Sequence, residues 1–276
     1  MHSLIRPTLF VGVALLLAVI AGAPEQLGYA TADDQRERPA NSGAGSLVLA
    51  SQDGAQPENI EQFLTAVTED VDTYWTRVFE DSGLQEPRVS YTGIPAGQTA
   101  ASACGDESGT LGDSAAAYCP GDDTIYISEQ FATDIYNGSL DHVLPGSSQG
   151  YGRTIGDFSV AYIVAHEYGH EVQDELGLFQ EYGQQLPTMA FELQADCYAG
   201  TWAKSAYDEN RLEEGDVQEA LDAALAVGDF DASNPGHHGT PEQREEAWTS
   251  GFEAGDPSSC SEYLGQAGLG SSSSSS

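Results

Sequence analysis

The sequence has 276 residues, enough for one substantial domain or two small ones with a buried core. Only 9 Lys and Arg residues oppose 44 Asp and Glu residues, and the formal net charge is −35. A surface this acidic repels phosphate backbones and anionic lipid headgroups, so we expect no nucleic-acid partner.

The N-terminal segment has the pattern of an export signal. Residues 1–7 carry the basic Arg6 and no acid, and an apolar run follows over residues 9–20. Ala21-Gly22-Ala23 then resembles a cleavage site, and the combination predicts a signal peptide. A membrane span needs about 20 apolar residues, so an uncleaved anchor over residues 1–23 is an alternative. Both interpretations predict an extracellular or cell-envelope protein, and the second adds a membrane tether.

Composition divides the remainder of the chain. Residues 24–56 are rich in Ala, Gly, Ser, Gln and Asp without periodicity, which is typical of a disordered linker. We predict one folded domain over residues 57–268 and a serine-rich tail over residues 269–276.

The first part of this domain contains a helix and two short strands. Apolar residues recur at helical spacing from Ile60 to Phe79, which predicts an amphipathic core helix ending at Gly83. Residues 88–92 and 124–128 are strand candidates, and a Gly-rich segment separates them.

The four cysteines are an even set in a chain that we expect to be exported, so disulfides are expected. Three pairings are possible. Cys104 with Cys119 would close a short Gly-rich loop and leave Cys197 with Cys260, which is the pairing we expect. A cysteine metal site is less favoured because no C-x-x-C spacing occurs.

The second part of the domain is predicted to be helical. After a helix at 129–136 and a Gly/Ser-rich loop at 144–156, Asp157 stands where an N-cap would open a helix that continues towards Gly177. Further helices are predicted at 188–207, 216–227 and 241–252. The expected class is therefore α+β, mainly helical, with a small sheet.

A metal-binding motif lies in the helix after Asp157. His166 and His170 frame Glu167 in H-E-x-x-H, and positions i and i+4 of a helix share one face, so both imidazoles can reach one ion. Zn2+ suits two such nitrogens, and the Glu between them can act as the base for a bound water. The structural alternative is that both histidines are core residues whose hydrogen bonds are satisfied without a metal.

The third ligand is predicted on the following helix. Glu192 and Asp196 are four residues apart with apolar neighbours, and two His with one Glu is a known catalytic zinc set. We expect Glu192 to bind the metal and Asp196 to accept the second ring N–H of a histidine. The alternative is a pair of solvated surface acids.

Two later residues are weaker candidates. His238, before a helix that starts near Pro241, could donate to the oxyanion of a peptide-hydrolysis transition state. A loop histidine that caps this helix is the equal alternative. For Arg244 we expect a structural pairing with a buried acid.

These motifs resemble a bacterial family of neutral zinc metallopeptidases related to the gluzincins. The resemblance rests on residues 161–173, 191–203 and 238–244, and it extends over about residues 57–263. It implies a zincin-like domain, with zinc on His166, His170 and Glu192. It also implies that Glu167 is catalytic and that Asp196 supports a ligand. Tyr168 and Glu171 depart from the smaller or basic residues that we expect in the family.

The predicted function is zinc-dependent hydrolysis of a peptide or protein substrate, with Glu167 as the general base of a metal-activated water. The alternative is a zinc-stabilised envelope module that binds or assembles without cleaving; its metal site would be closed, whereas that of an enzyme is open. A zinc hydrolase for a non-peptide amide would share the same residues. The sequence does not separate these functions.

Overall fold

A computed structural model describes residues 59–265, and within this range the fold is mainly helical with small sheets, as predicted. The helices and strands, in chain order, are α1 Ile60–Asp81, β1 Ser90–Ile94, β2 Ala100–Ala101, β3 Thr110–Leu111, β4 Ala116–Cys119, β5 Thr124–Ser128, α2 Glu129–Tyr136, α3 Asp157–Glu175, α4 Leu178–Tyr182, α5 Thr188–Asp208, α6 Asp216–Val227 and α7 Pro241–Ala254. Short 3-10 helices lie at Ser147–Gln149 and Pro257–Leu264.

The apolar stripe of α1 is core, as its spacing predicts. Asn59 caps the helix by accepting a hydrogen bond from the backbone N–H of Gln62, at 3.0 Å. Val67, Val71 and Trp75 are fully buried along the stripe, and Glu69 and Thr73 between them are exposed.

The main sheet has three strands in the order β1–β5–β4. β1 is parallel to β5 and β4 is antiparallel to it, while β2 and β3 form a separate hairpin. β1 starts two residues later than predicted, at Ser90. β4 falls in the segment interpreted as a Gly-rich connection, because Ala-Ala-Tyr-Cys has neither alternation nor β-branched residues.

Three helices, α3, α5 and α7, position the H-E-x-x-H motif. α3 is buried from Asp157 to Gln173, so it runs through the domain interior. Gly169 allows α5 to approach closely, since a Cβ built there would lie 2.9 Å from Cα of Ala195. Gly251 likewise allows α7 to approach α5 closely, because a Cβ at residue 251 would lie 1.9 Å from the carbonyl oxygen of Cys197. These contacts hold the two histidines against the helix that carries Glu192.

The start of α3 differs from the prediction. Asp157 is the first helical residue rather than the N-cap, which is Gly156 with φ of 101°. A side-chain cap comes instead from α6, where Glu219 Oε2 accepts the backbone N–H of Phe158 at 3.0 Å. Glycine fits here because a Cβ at residue 156 would lie 2.1 Å from that carboxylate. A residue distant in sequence therefore replaces the local cap.

The cysteine pairing is confirmed, with bonds joining Cys104 to Cys119 and Cys197 to Cys260. Both are consistent with an extracellular or periplasmic protein. Among the helices of residues 59–265, none has the length and apolar character needed to cross a bilayer. The signal or anchor at 1–23, the linker at 24–56 and the tail at 269–276 lie outside the described residues, and the domain limits 57–268 stay predictions.

Candidate metal centre

Three predicted ligands meet between α3 and α5. His166, His170 and Glu192 each offer a ligand atom, and these atoms all lie within 4.8 Å of one another. Nε2 of His166 is 3.3 Å from Glu192 Oε2, and Nε2 of His170 is 3.5 Å from Glu192 Oε1. All three side chains are buried. The i, i+4 spacing on α3 thus presents two nitrogens to one carboxylate.

Two atoms of this group lack any hydrogen-bond partner although they are buried, namely His170 Nε2 and Glu192 Oε1. A buried polar atom without a partner is destabilising by about 1–3 kcal/mol, so such atoms mark places where a ligand belongs. Two imidazole nitrogens and a carboxylate form a donor set that suits Zn2+. The residues therefore fit a metal ion chemically as well as by position.

Asp196 supports His166 from the side away from Glu192. Its Oδ1 lies 2.8 Å from His166 Nδ1, so the ring donates there while its Nε2 faces Glu192. Burial alone would raise the pKa of Asp196, but the Arg244 cation and His166 lower it below its usual value. Arg244 donates from Nε to Asp196 Oδ2 at 2.7 Å, and Tyr162 donates to Oδ1 at 2.6 Å. The predicted pairing of Arg244 with a buried acid is confirmed.

The charges in the centre favour a bound cation. Burial lowers the pKa of His166 and the Arg244 cation adds to this, yet the Asp196 and Glu192 carboxylates together raise it to about 9. Burial would likewise raise the pKa of Glu192, but the charge of His170 and the close approach of both imidazoles hold it well below its ordinary value. An ionised Glu192 is the form that can bind a metal.

His170 has its own support, which the sequence reasoning missed. Its Nδ1 lies 2.9 Å from Gln173 Oε1, and Gln173 Nε2 donates to the carbonyl of Phe191 at 2.7 Å and to Gln194 Oε1 at 3.1 Å. These donations fix the orientation of the Gln173 amide, so its oxygen accepts from the ring and Nε2 of His170 turns to Glu192. The i, i+3 spacing on α3 was the available signal.

Glu167 lies beside the ligands and is held by the sheet. Its Oε2 accepts the backbone N–H of Tyr118 in β4 at 2.9 Å, which leaves Oε1 for other partners. Together with His166 and Glu192 it lines a cleft whose other walls include Ala116 of β4 and His238. The residue predicted as base therefore faces the same space as two predicted ligands.

His238 reaches this cleft, although it lies 46 positions beyond Glu192 in the sequence. Asp229 Oδ2 accepts the backbone N–H of His238 at 2.8 Å and lies 3.2 Å from its Nδ1. The helix-capping interpretation of His238 is wrong, because Thr240 caps α7 in a capping box with Gln243. No sequence motif around Asp229 indicated that it would contact His238.

Comparisons with known proteins identify the family of the chain. A family model described as "Putative neutral zinc metallopeptidase" matches residues 7–263. The chain belongs to this family. Its members include "Uncharacterized protein YpfJ" of Escherichia coli strain K12, which is 35% identical over 222 residues, covering 72% of this chain and 69% of the relative. "Uncharacterized protein Rv2575" of Mycobacterium tuberculosis strain H37Rv is 35% identical over 184 residues, covering 58% of each chain. No solved structure matches.

Membership of the zinc metallopeptidase family implies zinc, and the family name suggests peptidase activity. Within residues 59–265, His166, His170 and Glu192 form the one compact group that combines imidazole with carboxylate. The family resemblance inferred from the three sequence blocks is thus confirmed. The zincin-like architecture stays a prediction.

Proposed function

We propose that this protein is a zinc-dependent peptidase whose metal is held by His166, His170 and Glu192. The observation that carries the proposal is the convergence of two imidazole nitrogens and a carboxylate on one buried point, where two of the polar atoms have no partner. Glu167, which is not one of the three ligands, lines the same cavity as His166 and Glu192, and a carboxyl in that position supports a catalytic rather than a structural role for the metal.

A zinc ion bound there would lower the pKa of a water molecule and polarise a substrate carbonyl. Glu167 would accept the water's proton at Oε1, because Oε2 is engaged by the Tyr118 N–H. The same carboxyl would then deliver the proton to the departing amine nitrogen. The anchoring of Oε2 keeps the carboxyl in one orientation through both transfers.

His238 would assist from the opposite wall of the cleft. As an imidazolium with Nδ1–H directed to Asp229, His238 would donate a hydrogen bond from Nε2–H to the oxyanion that develops at the substrate carbonyl. We propose that the Asp229 carboxylate fixes the rotation of this imidazole. The residues that position His238 and those that position the metal ligands are separate.

The free edge of β4 supports a peptide rather than another amide as the substrate. Ser128 donates to the carbonyl of Ala115, so the hydrogen-bonded pairs of β4 with β5 are at alternate positions and Ala116 and Tyr118 direct their backbone groups away from β5. Within the described residues no strand covers that side. Since Glu167 already accepts the Tyr118 N–H, an extended peptide would pair with the backbone groups of Ala116 on this edge, beside Glu167.

We propose that the protein acts outside the cytoplasm on a peptide or protein substrate, with the N-terminal segment either removed or kept as a membrane tether. The two disulfides and the acidic composition support this setting. The −35 net charge argues against a nucleic-acid substrate.

The decisive experiment compares Glu167→Gln with wild type for zinc content and for cleavage of casein and an unstructured peptide library, with and without chelator. We expect Glu167→Gln to keep zinc and to lose cleavage by at least about 100-fold, since general base catalysis contributes about 10²–10⁴-fold. Glu253→Gln, at an exposed position on α7, is the matched control and should behave as wild type. A zinc-loaded wild type that cleaves nothing would favour the envelope binding or assembly module.

A further inference from the structure

Gln194 is a buried amide of α5 that the proposed hydrolysis does not use. Its side chain is fully buried, and it follows closely after Glu192 on the helix. Its Nε2 donates to the backbone carbonyl of Cys260 at 3.2 Å, and its Oε1 accepts a hydrogen bond from Gln173 Nε2 at 3.1 Å. Gln194 therefore joins α3 to the 3-10 helix Pro257–Leu264, which follows α7.

The hydrogen bonds through Gln194 have one possible direction. The carbonyl oxygen of Cys260 can only accept, so Gln194 turns its NH2 group to Cys260 and its oxygen to Gln173. The second N–H of Gln173 goes to the carbonyl of Phe191, and its oxygen therefore faces Nδ1 of His170 at 2.9 Å. In the neutral imidazole the proton then lies on Nδ1, and Nε2 keeps the lone pair that a metal ligand needs.

A disulfide holds the carbonyl that starts this chain of hydrogen bonds. Cys260 is 66 residues from Gln194 along the sequence, and its bond to Cys197 ties the 3-10 helix to α5. Both cysteines are fully buried. Leu264, at the other end of the 3-10 helix, packs in the same apolar cluster as Phe191. The 3-10 helix therefore contacts α5 both before and after Gln194, which fixes the acceptor of its amide.

We propose that Gln194 and the Cys197–Cys260 disulfide position His170 for zinc binding. They act through Gln173, which contacts the imidazole directly. This role rests on the zinc site of the proposed function and does not depend on peptide cleavage.

The physical reason is the orientation of two amide groups. If the Cys260 carbonyl moves away, Gln194 loses the acceptor that orients its amide. A flipped amide would direct its NH2 group at the NH2 group of Gln173, and two donors repel each other. The Gln173 amide would then hold the imidazole less firmly, so His170 would offer Nε2 in the metal-binding orientation for less of the time. Zinc affinity should fall as a result.

The first test is the zinc Kd of purified Gln194→Met, measured by competition with a chromophoric chelator at a temperature where the protein is folded. Methionine has nearly the length of glutamine but forms neither hydrogen bond. Zinc affinity should fall by about 3–10-fold, less than the loss of about 10–100-fold for a direct partner of a metal-binding histidine. Gln185→Met, at an exposed position after α4, is the matched control and should bind zinc as wild type does.

Cobalt in place of zinc gives a readout that a loss of stability alone does not change. The visible absorption of bound Co2+ depends on the geometry of its ligands. The spectrum should therefore differ between wild type and Gln194→Met, and it should be the same in wild type and Gln185→Met. A network that only stabilises the fold would lower Tm and leave the zinc Kd and the cobalt spectrum unchanged.

The second test removes the disulfide by Cys197→Ala together with Cys260→Ala. Zinc affinity should fall by a factor similar to that of Gln194→Met. In the Gln194→Met background the same removal should cause no further loss, because groups that act through one hydrogen-bond network are not additive. Cys104→Ala together with Cys119→Ala removes the other disulfide and is the matched control. It should lower Tm and leave the zinc Kd unchanged.

The proposal is overturned if Gln194→Met binds zinc as wild type does, if the two losses are additive, or if removal of either disulfide weakens zinc binding equally. Gln194→Met alone decides the matter if the variant without the Cys197–Cys260 bond does not fold. A wild type that binds no zinc would overturn the proposed function as well. A wild type that binds zinc but cleaves no casein would count against the peptidase only.

Discussion

At the middle of α3, His166, His170 and Glu192 bring their ligand atoms within 4.8 Å of one another, and at its N-terminus Asp157, Asp216 and Glu219 do the same. The two groups are equally compact, yet their surroundings differ. The central group has buried atoms without partners, whereas Glu219 accepts the N–H of Phe158 and Asp216 that of Glu213.

The two groups also differ in how their surroundings shift the pKa values of their carboxyl groups. Burial raises the pKa of Asp216 to about 6 and of Glu219 to about 7, with Asp157 adding to the effect, and no cation opposes it. At the centre, the charge of His170 and the close approach of both imidazoles overcome burial and lower the pKa of Glu192. Proximity of acids therefore does not by itself define a metal site; imidazole partners and unpaired buried atoms do.

The largest expected effect is on zinc binding when one acid is removed from each of the two groups. Apparent zinc binding energies of structural sites are about 10–16 kcal/mol, so loss of one of three ligands is expected to weaken zinc binding by about 10²–10⁴-fold. Glu192→Ala should show this loss in a competitive zinc titration, and Glu219→Ala should show none. Equal losses in the two variants would mean that the N-terminal group also binds zinc.

A second prediction concerns the ion pair behind His166. Arg244→Ala should lower the free energy of unfolding by about 3 kcal/mol or more, because it leaves the buried Asp196 charge without its cation. Arg211→Ala removes a partly exposed pair with Asp70 and should lower it by no more than about 1 kcal/mol. Guanidinium unfolding measures both, and similar values for the two variants would contradict the assignment.

A third prediction sharpens the role of Gln173. Gln173→Leu removes the acceptor of His170 Nδ1, so zinc affinity should fall by about 10–100-fold, as for other partners of metal-binding histidines. The exposed Gln218→Leu on α6 is the control. An unchanged zinc Kd in Gln173→Leu would show that this hydrogen bond does not orient the ring.

The smallest expected effect is on the pH dependence of Tm. Because the folded-state pKa values of Asp216 and Glu219 lie above their unfolded values of about 4, the folded state binds extra protons between about pH 4 and pH 7. This contribution to stability is present at the acidic end and is lost as the pH rises through about 7. Glu219→Gln should therefore flatten the decline of Tm from about pH 5 to pH 8. An equally steep decline in Glu219→Gln and in the exposed-loop variant Asp231→Asn would refute this.

Much of the fold followed from local pattern. The helical stripe of α1 and the H-E-x-x-H helix were predictable because the 3.6-residue period is set by neighbours in the chain. The four-residue strand β4 was not, since its Ala-rich sequence carries no strand signal and its pairing with β5 defines it. The N-cap of α3 was assigned one residue late because the carboxylate that caps it belongs to α6.

The sequence alone determined the chemistry of the centre: two imidazoles one helical turn apart, Glu167 between them and a carboxylate on a second buried helix. The tertiary structure decided what supports them. The Tyr118 N–H that holds Glu167 lies 49 residues away along the chain, and Asp229 holds His238 from a loop. Such contacts depend on how elements pack, and the packing forces are non-directional and act between distant residues.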